Sequence, residues 1–429
     1  MTTFFCGAAR ADITPPVGTL LFGYNPHQVS TSIHDNLAVT AAAFSDGETT
    51  AVLVTADVCE IQTALSDEIR RAAGEAAGIA WQNILLSATH THSAPNVTGM
   101  EGWGDVDRPY VDTVFLPAIV KAVKEAVASM EPAVLGIAET ESRVGVNRRE
   151  LKRGGRVDFG QNPWGPFDTT MTVIAIRSED GRGILNLVHS GCHGTAAGCN
   201  REISRDWSGM MVDRMQRETG ILTAYWQGAC GDTGPRISNG ATTGDITYVE
   251  ELGSLAAMDA VRAWRQIKSY HTPALSVFRG TVRIPTVPLP TEEEARAKLA
   301  SFGDPAKLIN IQALEYGHWR DVLAAIQNEV TPPGAFTYDT TLVALGDILW
   351  IPHPFEIFTE ITLRLRQYAP YAHVLSLSTT NGTNEYLPSK GEMLRGGYEV
   401  DCFRYGHVFP MTDDADEHII EDNLRILGV

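Results

Sequence analysis

The chain has 429 residues, of which 44% are apolar and 20% are charged, with 39 glycines and 22 prolines. This composition is typical of a globular protein and excludes a fibrous or disordered chain. Aspartate and glutamate total 52 against 34 lysines and arginines, a formal net charge of -18, so the overall field repels nucleic-acid phosphates and anionic lipid, and we expect no nucleic-acid partner.

Short apolar runs rich in β-branched residues predict ten strands. In chain order they are 37–44, 51–56, 84–88, 133–138, 171–177, 184–189, 222–226, 275–284, 348–351 and 373–377. Amphipathic stretches between them predict helices. These are 64–77, 108–130, 207–219, 246–267 and 355–368. The mixture favours an α/β or α+β fold, and several runs are apolar on both faces, as central strands are.

The chain contains no internal repeat and no Ser/Pro/Gly-rich linker, so we expect one domain over 1–429. Residues 291–333 are charged and helical, and either a surface helical pair or a lid-like insertion would fit them.

The six scattered cysteines have no zinc-finger spacing and are interpreted as free thiols. Without a leader or an apolar run of about 20 residues, the expected compartment is the cytoplasm, with no membrane span.

Two histidine motifs follow predicted strands. His90 and His92 stand two residues apart after 84–88, a spacing that on an extended strand directs both side chains to one side. The two histidines could both be ligands, or both could be hydrogen-bonded residues with a structural role. His193 follows the strand 184–189 beside glycines that leave room for a cavity, and it is a stronger ligand candidate than His189.

Three further segments carry polar residues at element ends. Gly231-Asp232-Thr233-Gly234 follows the strand 222–226, and Asp232 could orient a histidine or a water there. Glu356 lies at a predicted strand-to-helix junction, where a carboxylate also favours the helix dipole without any function. Tyr386 and Tyr398 belong to the Gly-rich stretch 381–399, in which single tyrosines are more often packing residues.

Together, and in this order, these segments resemble the catalytic domain of the neutral/alkaline non-lysosomal ceramidase family. The resemblance begins at 7–15 and 22–24 and spans nearly the whole chain. It continues through 89–93, 147–148, 192–195, 203–206, 231–232, Glu356 and 398–399. The resemblance implies a multilayer α/β sandwich in which central mixed β-sheets are flanked by helices.

The resemblance also implies a site and a reaction. One Zn²⁺ per chain would be held by a set of four ligands, with a fifth position left for water. These ligands are His90, His193, Glu356 and Tyr386. His92 would transfer the proton, and Arg148 and Tyr398 would stabilise the oxyanion. Asp232 would orient a neighbouring histidine or water. The expected reaction is hydrolysis of a linear amide by the metal-bound water.

We expect the small-molecule substrate, an amide or an ester, to contact Arg149, Gly234 and Asn381. Two departures from the family bear on its identity. Gly234 stands where members resembling this chain carry a serine, which excludes a serine-dependent step there. The chain also ends at Val429 without the family's C-terminal β-sandwich domain. We therefore expect a substrate smaller or more polar than ceramide.

Three alternatives remain open at this point. The same metal site could hydrolyse an ester or a lactone. A His-X-His amidohydrolase on a (β/α)₈ barrel would use a different ligand set, although several strands precede His90 here. A non-catalytic ligand-binding protein could also share the fold. The pattern does not determine whether the protein forms a homo-oligomer.

Overall fold

The computed structural model of the protein describes residues 3–429, and two β-sheets lie at its centre. The larger sheet has eight strands, in spatial order Thr223–Gln227, Gly183–Ser190, Thr170–Ser178, Glu131–Glu141, Phe5–Asp12, Ala38–Ser45, Thr50–Ala56 and Ile84–Ala88. The pairs at its two ends are parallel, and the pairs between them are antiparallel. The sheet curls strongly, so that the Thr55 hydroxyl donates to the Tyr225 carbonyl at 2.7 Å.

The smaller sheet has four strands, in the order Leu275–Pro285, Ala335–Leu345, Ile348–Pro352 and His373–Leu377. Its last pair is parallel. Four short two-stranded pairs complete the β-structure. They are Ser32–Ile33 with Glu202–Ile203, Gly145–Asn147 with Thr233–Pro235, Arg149–Leu151 with Val157–Phe159, and Glu356–Ile357 with Tyr386–Leu387.

The two sheets pack against each other through a buried layer that contains Phe44, Trp226 and Trp350. Helices cover the outer faces of both sheets, and Asn310–Gln327 packs instead on the helices Glu292–Ala300 and Tyr398–Tyr405. The longer ones are Thr63–Ala77, Leu116–Ala128, Asp206–Thr219, Ile246–Gln266, Glu292–Ala300, Asn310–Gln327, Thr359–Tyr368, Tyr398–Tyr405 and Ala415–Leu427. The shorter ones are Trp81–Asn83, Arg108–Tyr110, Val111–Phe115, Pro305–Lys307 and Lys390–Met393. Burial of apolar side chains on both faces of each sheet is the main stabilising contribution. The predicted sandwich of mixed sheets flanked by helices is confirmed.

All ten predicted strands are present, with ends that differ by at most three residues. The helix predicted over 355–368 is wrong at its start, because the observed helix begins at Thr359. The amides of Glu356 and Phe358 donate to the carbonyls of Glu385 and Leu387. These bonds hold Glu356 in a short strand beside Tyr386 rather than in a helical first turn.

The charged segment 291–333 forms two packed helices, Glu292–Ala300 and Asn310–Gln327. The second helix lies against the N-terminal segment, since the Asn310 side chain donates to the Tyr24 carbonyl at 2.6 Å.

All six cysteines are free thiols. Within residues 3–429, no helix combines the length and the apolar character that a bilayer crossing requires.

Candidate metal centre

Three side chains from the ends of different strands meet at one buried point. His90 follows the strand Ile84–Ala88, His193 follows Gly183–Ser190, and Glu356 comes four residues after Ile348–Pro352. The first two strands belong to the larger sheet and the third to the smaller sheet. The centre therefore lies where the strand ends of both sheets come together, a usual place for sites in open α/β sheets.

His90 and His92 are not on an extended strand, contrary to the prediction. The strand ends at Ala88, and His90 adopts a positive φ of 65°. This left-handed turn is rare for a non-glycine residue and is held here by backbone contacts, including Thr91 paired with Gly194. The turn brings the Nε2 atoms of His90 and His92 to 3.4 Å.

Backbone carbonyls determine the tautomers of the two central imidazoles. The Nδ1 atom of His90 lies 2.8 Å from the carbonyl of Cys59, and that of His193 lies 2.8 Å from the carbonyl of Cys230. Because a carbonyl only accepts, each Nδ1 must donate. Each neutral ring is therefore left with an unprotonated Nε2, the form that binds a metal.

Three acceptor atoms converge as a result. The Nε2 atoms of His90 and His193 are 2.9 Å apart, and each lies 3.2 Å from Oε2 of Glu356. Both histidines are 0% exposed, and among the described residues no donor hydrogen-bonds to Glu356 Oε2. Buried lone pairs that face one another are unfavourable unless a cation or a proton lies between them.

The donor chemistry fits a divalent metal such as Zn²⁺, which binds imidazole nitrogen and carboxylate oxygen. Burial and the charge of Arg148 hold the pKa of His193 well below its usual range. Burial likewise lowers the pKa of His92, aided by His90 and Arg148. Burial opposes protonation of His90, but Glu356 raises its pKa overall.

His92 is positioned by the N-terminal segment. Its Nδ1 lies 3.2 Å from the Gly23 carbonyl, and its ring centre lies 5.2 Å from that of Tyr24. A Cβ atom at Gly23 would lie 2.4 Å from Nδ1 of His92, and the φ of Gly23 is 124°. Only glycine therefore allows this close approach.

Arg148 and Tyr386 border the centre on another side. The Arg148 Nη2 donates to the Tyr386 hydroxyl at 3.0 Å, and its Nε donates to Glu399 at 3.0 Å. The Tyr398 ring packs against that of Tyr386, with centres 5.8 Å apart. Burial opposes the charge of Arg148, but Tyr386, Glu399 and Glu356 raise its pKa above the ordinary value. Arg148 is thus a permanent positive charge in the site.

Arg149, expected to contact the substrate, is turned into the protein. Its guanidinium donates to Glu392 at 2.9 Å, to Glu399 and to the Gly396 carbonyl, and it lies over the ring of Phe358. Each of its three guanidinium nitrogens already has a protein partner. This geometry gives Arg149 the role of joining the segment 392–399 to the short two-stranded pair that carries Arg149.

Asp232 and Asn381 also bind the protein itself. The Asp232 carboxylate accepts from the amide and the hydroxyl of Thr359 at 2.9 and 2.8 Å. It therefore anchors the helix that follows Glu356, rather than an imidazole. The Asn381 side-chain oxygen accepts from the amide of Leu86 at 2.9 Å, which attaches its loop to the strand before His90. Both residues act on segments that carry candidate ligands.

Gly234 lies in a short buried strand opposite Val146. A Cβ atom at this position would lie 2.8 Å from the Cβ of Thr242 and 3.3 Å from that of Arg148. Thr242 thus fills the space that a serine at 234 would require.

This packing predicts the result of introducing the serine. Gly234→Ser is expected to destabilise the fold by about 1–3 kcal/mol, because buried overpacking shifts its neighbours. Thr242→Gly in the same chain removes the opposing Cβ, so the double variant should lose less stability than the two single losses added together. Denaturant unfolding of all four proteins measures this coupling, and strict additivity would contradict the proposed steric conflict.

Two residues near the centre were not identified from the sequence. Cys230 directly precedes the segment Gly231-Asp232-Thr233-Gly234, in which the sequence indicated only Asp232 and the glycines. Its sulfur belongs to the group of donor atoms formed with His90, His193 and Glu356. Glu60 is buried beside Glu356, and burial followed by the Glu356 charge raises its pKa to about 7. The only sequence feature that pointed to Glu60 was its position, as a polar residue shortly after the predicted strand 51–56.

The fold and the site together define an α/β sandwich protein with a buried histidine–histidine–glutamate donor group. A family model described as "Neutral/alkaline non-lysosomal ceramidase, N-terminal" matches residues 4–252. This match covers more than half of the chain, and the chain belongs to that family.

Curated relatives agree with this assignment. A neutral ceramidase from Mycobacterium tuberculosis is 24% identical over 260 residues, which cover 54% of this chain and 40% of the relative. Neutral ceramidase A from Dictyostelium discoideum is 27% identical over 252 residues, which cover 55% and 34% of the two chains. The match thus spans less than half the length of either relative.

Two solved structures share the fold. The crystal structure of neutral ceramidase from Pseudomonas aeruginosa superposes with a TM-score of 0.76 at 17% identity, covering 99% of this chain and 75% of the other. A ceramidase complexed with C2 gives a TM-score of 0.72 at 18% identity, covering 100% and 76%. At these identities the likeness concerns the fold.

Proposed function

We propose that this chain is a zinc-dependent hydrolase of a linear amide, cleaving an N-acyl bond in a substrate smaller or more polar than ceramide. The observation that carries the proposal is the convergence of three buried acceptor atoms. They belong to His90, His193 and Glu356, and they lie 2.9 to 3.2 Å from one another. Family membership supports the same class of reaction.

The metal would be held by His90, His193 and Glu356, with Tyr386 as the further ligand that the family resemblance implies. When bound, the ion supplies Lewis-acid chemistry and lowers the pKa of water toward neutrality. The protein's part is to hold both imidazoles in the metal-binding tautomer through the carbonyls of Cys59 and Cys230.

The proposed proton carrier is His92. Its ring is neutral near pH 7, because burial and the nearby positive charges lower its pKa. Its Nε2 lies 3.4 Å from that of His90 and can accept a proton at the centre. The same atom can then deliver the proton to the leaving amine, which departs as a neutral group.

Arg148 and Tyr398 are the proposed donors to the oxyanion. Arg148 is held by Glu399 and Tyr386, so its charge is oriented before the substrate arrives. Tyr398 packs edge to face against Tyr386 on the same side of the centre.

Metal analysis and a substrate panel test this proposal. Purified protein should contain about one zinc per chain, and it should hydrolyse short N-acyl amides faster than matched esters or lactones. Turnover of lactones alone would contradict the amide assignment and favour a lactonase. Absence of both zinc and hydrolysis would instead favour a ligand-binding protein on the same fold.

A further inference from the structure

The two helices of segment 291–333, called here the helical unit, are attached to the rest of the protein at one edge. The amide of Thr286 donates to the carbonyl of Gly334 at 3.3 Å, so the chain enters and leaves the unit side by side. The stretch 327–334 is exposed almost throughout and contains two prolines. Paired, exposed connections of this kind have the features of a hinge.

The helical unit is held together by its own contacts. The ring centres of Phe302 and Tyr316 are 5.7 Å apart, and the Lys298 ammonium lies 5.8 Å from the centre of the Trp319 ring. Ala295, on the first helix, is completely buried. These contacts join the two helices to each other, so they can move as one body.

The helical unit lies against residues that border the candidate metal centre. Its second helix contributes Ile311 and Leu314 to an apolar cluster that also contains Tyr386 and Tyr398. A cleft of about 260 Å³ remains between this helix and the stretch of chain before Tyr386. Since well-packed interiors leave few voids of this size, the unit is docked loosely on the site.

Polar bonds complete the docking. The Arg320 guanidinium donates to both carboxylate oxygens of Glu101 at 2.9 and 3.0 Å. The backbone amide of Asn310 donates to the Gly102 carbonyl at 3.0 Å, and its side chain donates to the Tyr24 carbonyl. Because the Arg320 and Glu101 side chains are 48% and 42% exposed, their ion pair contributes little and can break readily.

The bond from Asn310 reaches the segment that positions His92. The ring of Tyr24 lies 5.2 Å from that of His92, and the carbonyl of Gly23 lies 3.2 Å from Nδ1 of His92. Docking of Asn310 on the Tyr24 carbonyl therefore fixes the backbone on which His92 rests. Closure of the unit and orientation of His92 are coupled by this contact.

We propose that the helical unit is a hinged lid on the candidate metal centre. It swings on the connections before 291 and after 327 to admit substrate, and on closing, Asn310 acts as a positioning residue for His92 through Tyr24. The effect on turnover rests on the proposed function. The motion itself needs neither metal nor substrate and is measured without them.

Double electron–electron resonance measures the motion. Spin labels at Ser301 on the lid and at Glu75 on the helix Thr63–Ala77 both replace exposed side chains, and Cys199→Ala removes the exposed native thiol. A Cβ atom at Gly102 would lie 2.6 Å from the Asn310 carbonyl oxygen. We therefore expect Gly102→Ala to populate a second label distance that is rare in the wild-type protein.

Gly181→Ala is the matched control, since Gly181 has nearly the same φ as Gly102, 92° against 90°, and no neighbour within 4 Å of its Cβ position. It should keep the wild-type distances. Asn310→Gly tests the same contact without a clash, because glycine keeps the φ of 52° and only the side-chain bond is lost. It should raise the second population about two- to tenfold. Unchanged distances in Gly102→Ala, or in Asn310→Gly if the first variant does not fold, would overturn the lid.

A reversible cross-link tests the role in turnover. A Cβ atom at Gly317 would lie 2.5 Å from the carboxyl carbon of Glu101, so cysteines at these two positions face each other across the lid contact. The oxidised double variant Glu101→Cys/Gly317→Cys should lose most of its amide hydrolysis and regain it with dithiothreitol, while oxidation leaves each single variant unaffected. Full activity of the cross-linked protein would overturn the gating role. Absence of hydrolysis in every protein, including the wild type, would instead count against the proposed function, and the label distances would still decide the lid.

Discussion

Replacing His193 by alanine is expected to abolish zinc binding and hydrolysis together. The imidazole contributes one of the three acceptor atoms that converge at the centre, and the variant keeps only two of these three, Nε2 of His90 and Oε2 of Glu356. Loss of residues that only support a ligand costs about 10–100-fold in affinity or activity, so loss of a ligand should exceed about a hundredfold. Zinc content after gel filtration and the rate of amide hydrolysis measure the two effects.

His373→Ala is the matched control for this variant. His373 is a partly exposed histidine on the smaller sheet, where its ring pairs with Glu139 at 2.7 Å. Removing it should leave zinc content and the hydrolytic rate unchanged. If His193→Ala instead retained one zinc per chain, His193 would not be a ligand, and the convergence of the three acceptors would need another explanation.

The second large effect is expected on stability, from Glu399→Ala. The buried Glu399 carboxylate accepts from Nε of Arg148 and from Nη1 of Arg149. Removing it leaves two buried guanidinium groups without their shared counter-charge. Breaking a buried pair in this way costs about 3–5 kcal/mol, mainly because an uncompensated charge stays inside the protein. Urea unfolding followed by tryptophan fluorescence should show a clearly lower midpoint.

Glu125→Ala controls for the loss of an ion pair as such. Glu125 pairs with Lys121 at 3.9 Å, and both side chains are more than half exposed. Since exposed pairs contribute little, its unfolding midpoint should match that of the wild-type protein. Equal midpoints for Glu399→Ala and Glu125→Ala would show that Glu399 does not hold the two arginines in place.

One central strand that the sequence did not predict, Phe5–Asp12, has a physical explanation. Phe5–Asp12 is central in the larger sheet, yet it reads FCGAARAD, with none of the β-branched residues that favour strands. Its small residues are needed because the helix Leu116–Ala128 crosses it closely, and a Cβ at Gly7 would lie 2.2 Å from the Ala126 carbonyl oxygen. Pairing with Ala38–Ser45 therefore overrides a weak local preference.

The candidate site likewise combines features that the sequence predicted with features that it did not. The residue types at the strand ends, His90, His193 and Glu356, were recognisable from the sequence and its family resemblance. The turn at His90 and the strand at Glu356 were not, because both depend on backbone hydrogen bonds to segments distant in the chain. The sequence analysis proposes Arg149 as a substrate contact, but its ion pairs with Glu392 and Glu399 turn it inward.

The sequence by itself determined the class of fold, ten of the twelve strands of the two central sheets, and the family, because hydrophobic periodicity and ordered motifs are local properties of the chain. Only the tertiary structure decided which atoms meet. The 2.9 Å approach of two imidazoles 103 residues apart arises because strand ends from the two sides of the curled larger sheet come together. The same packing placed the Cys230 sulfur beside them, because side-chain convergence depends on long-range contacts that no local pattern specifies.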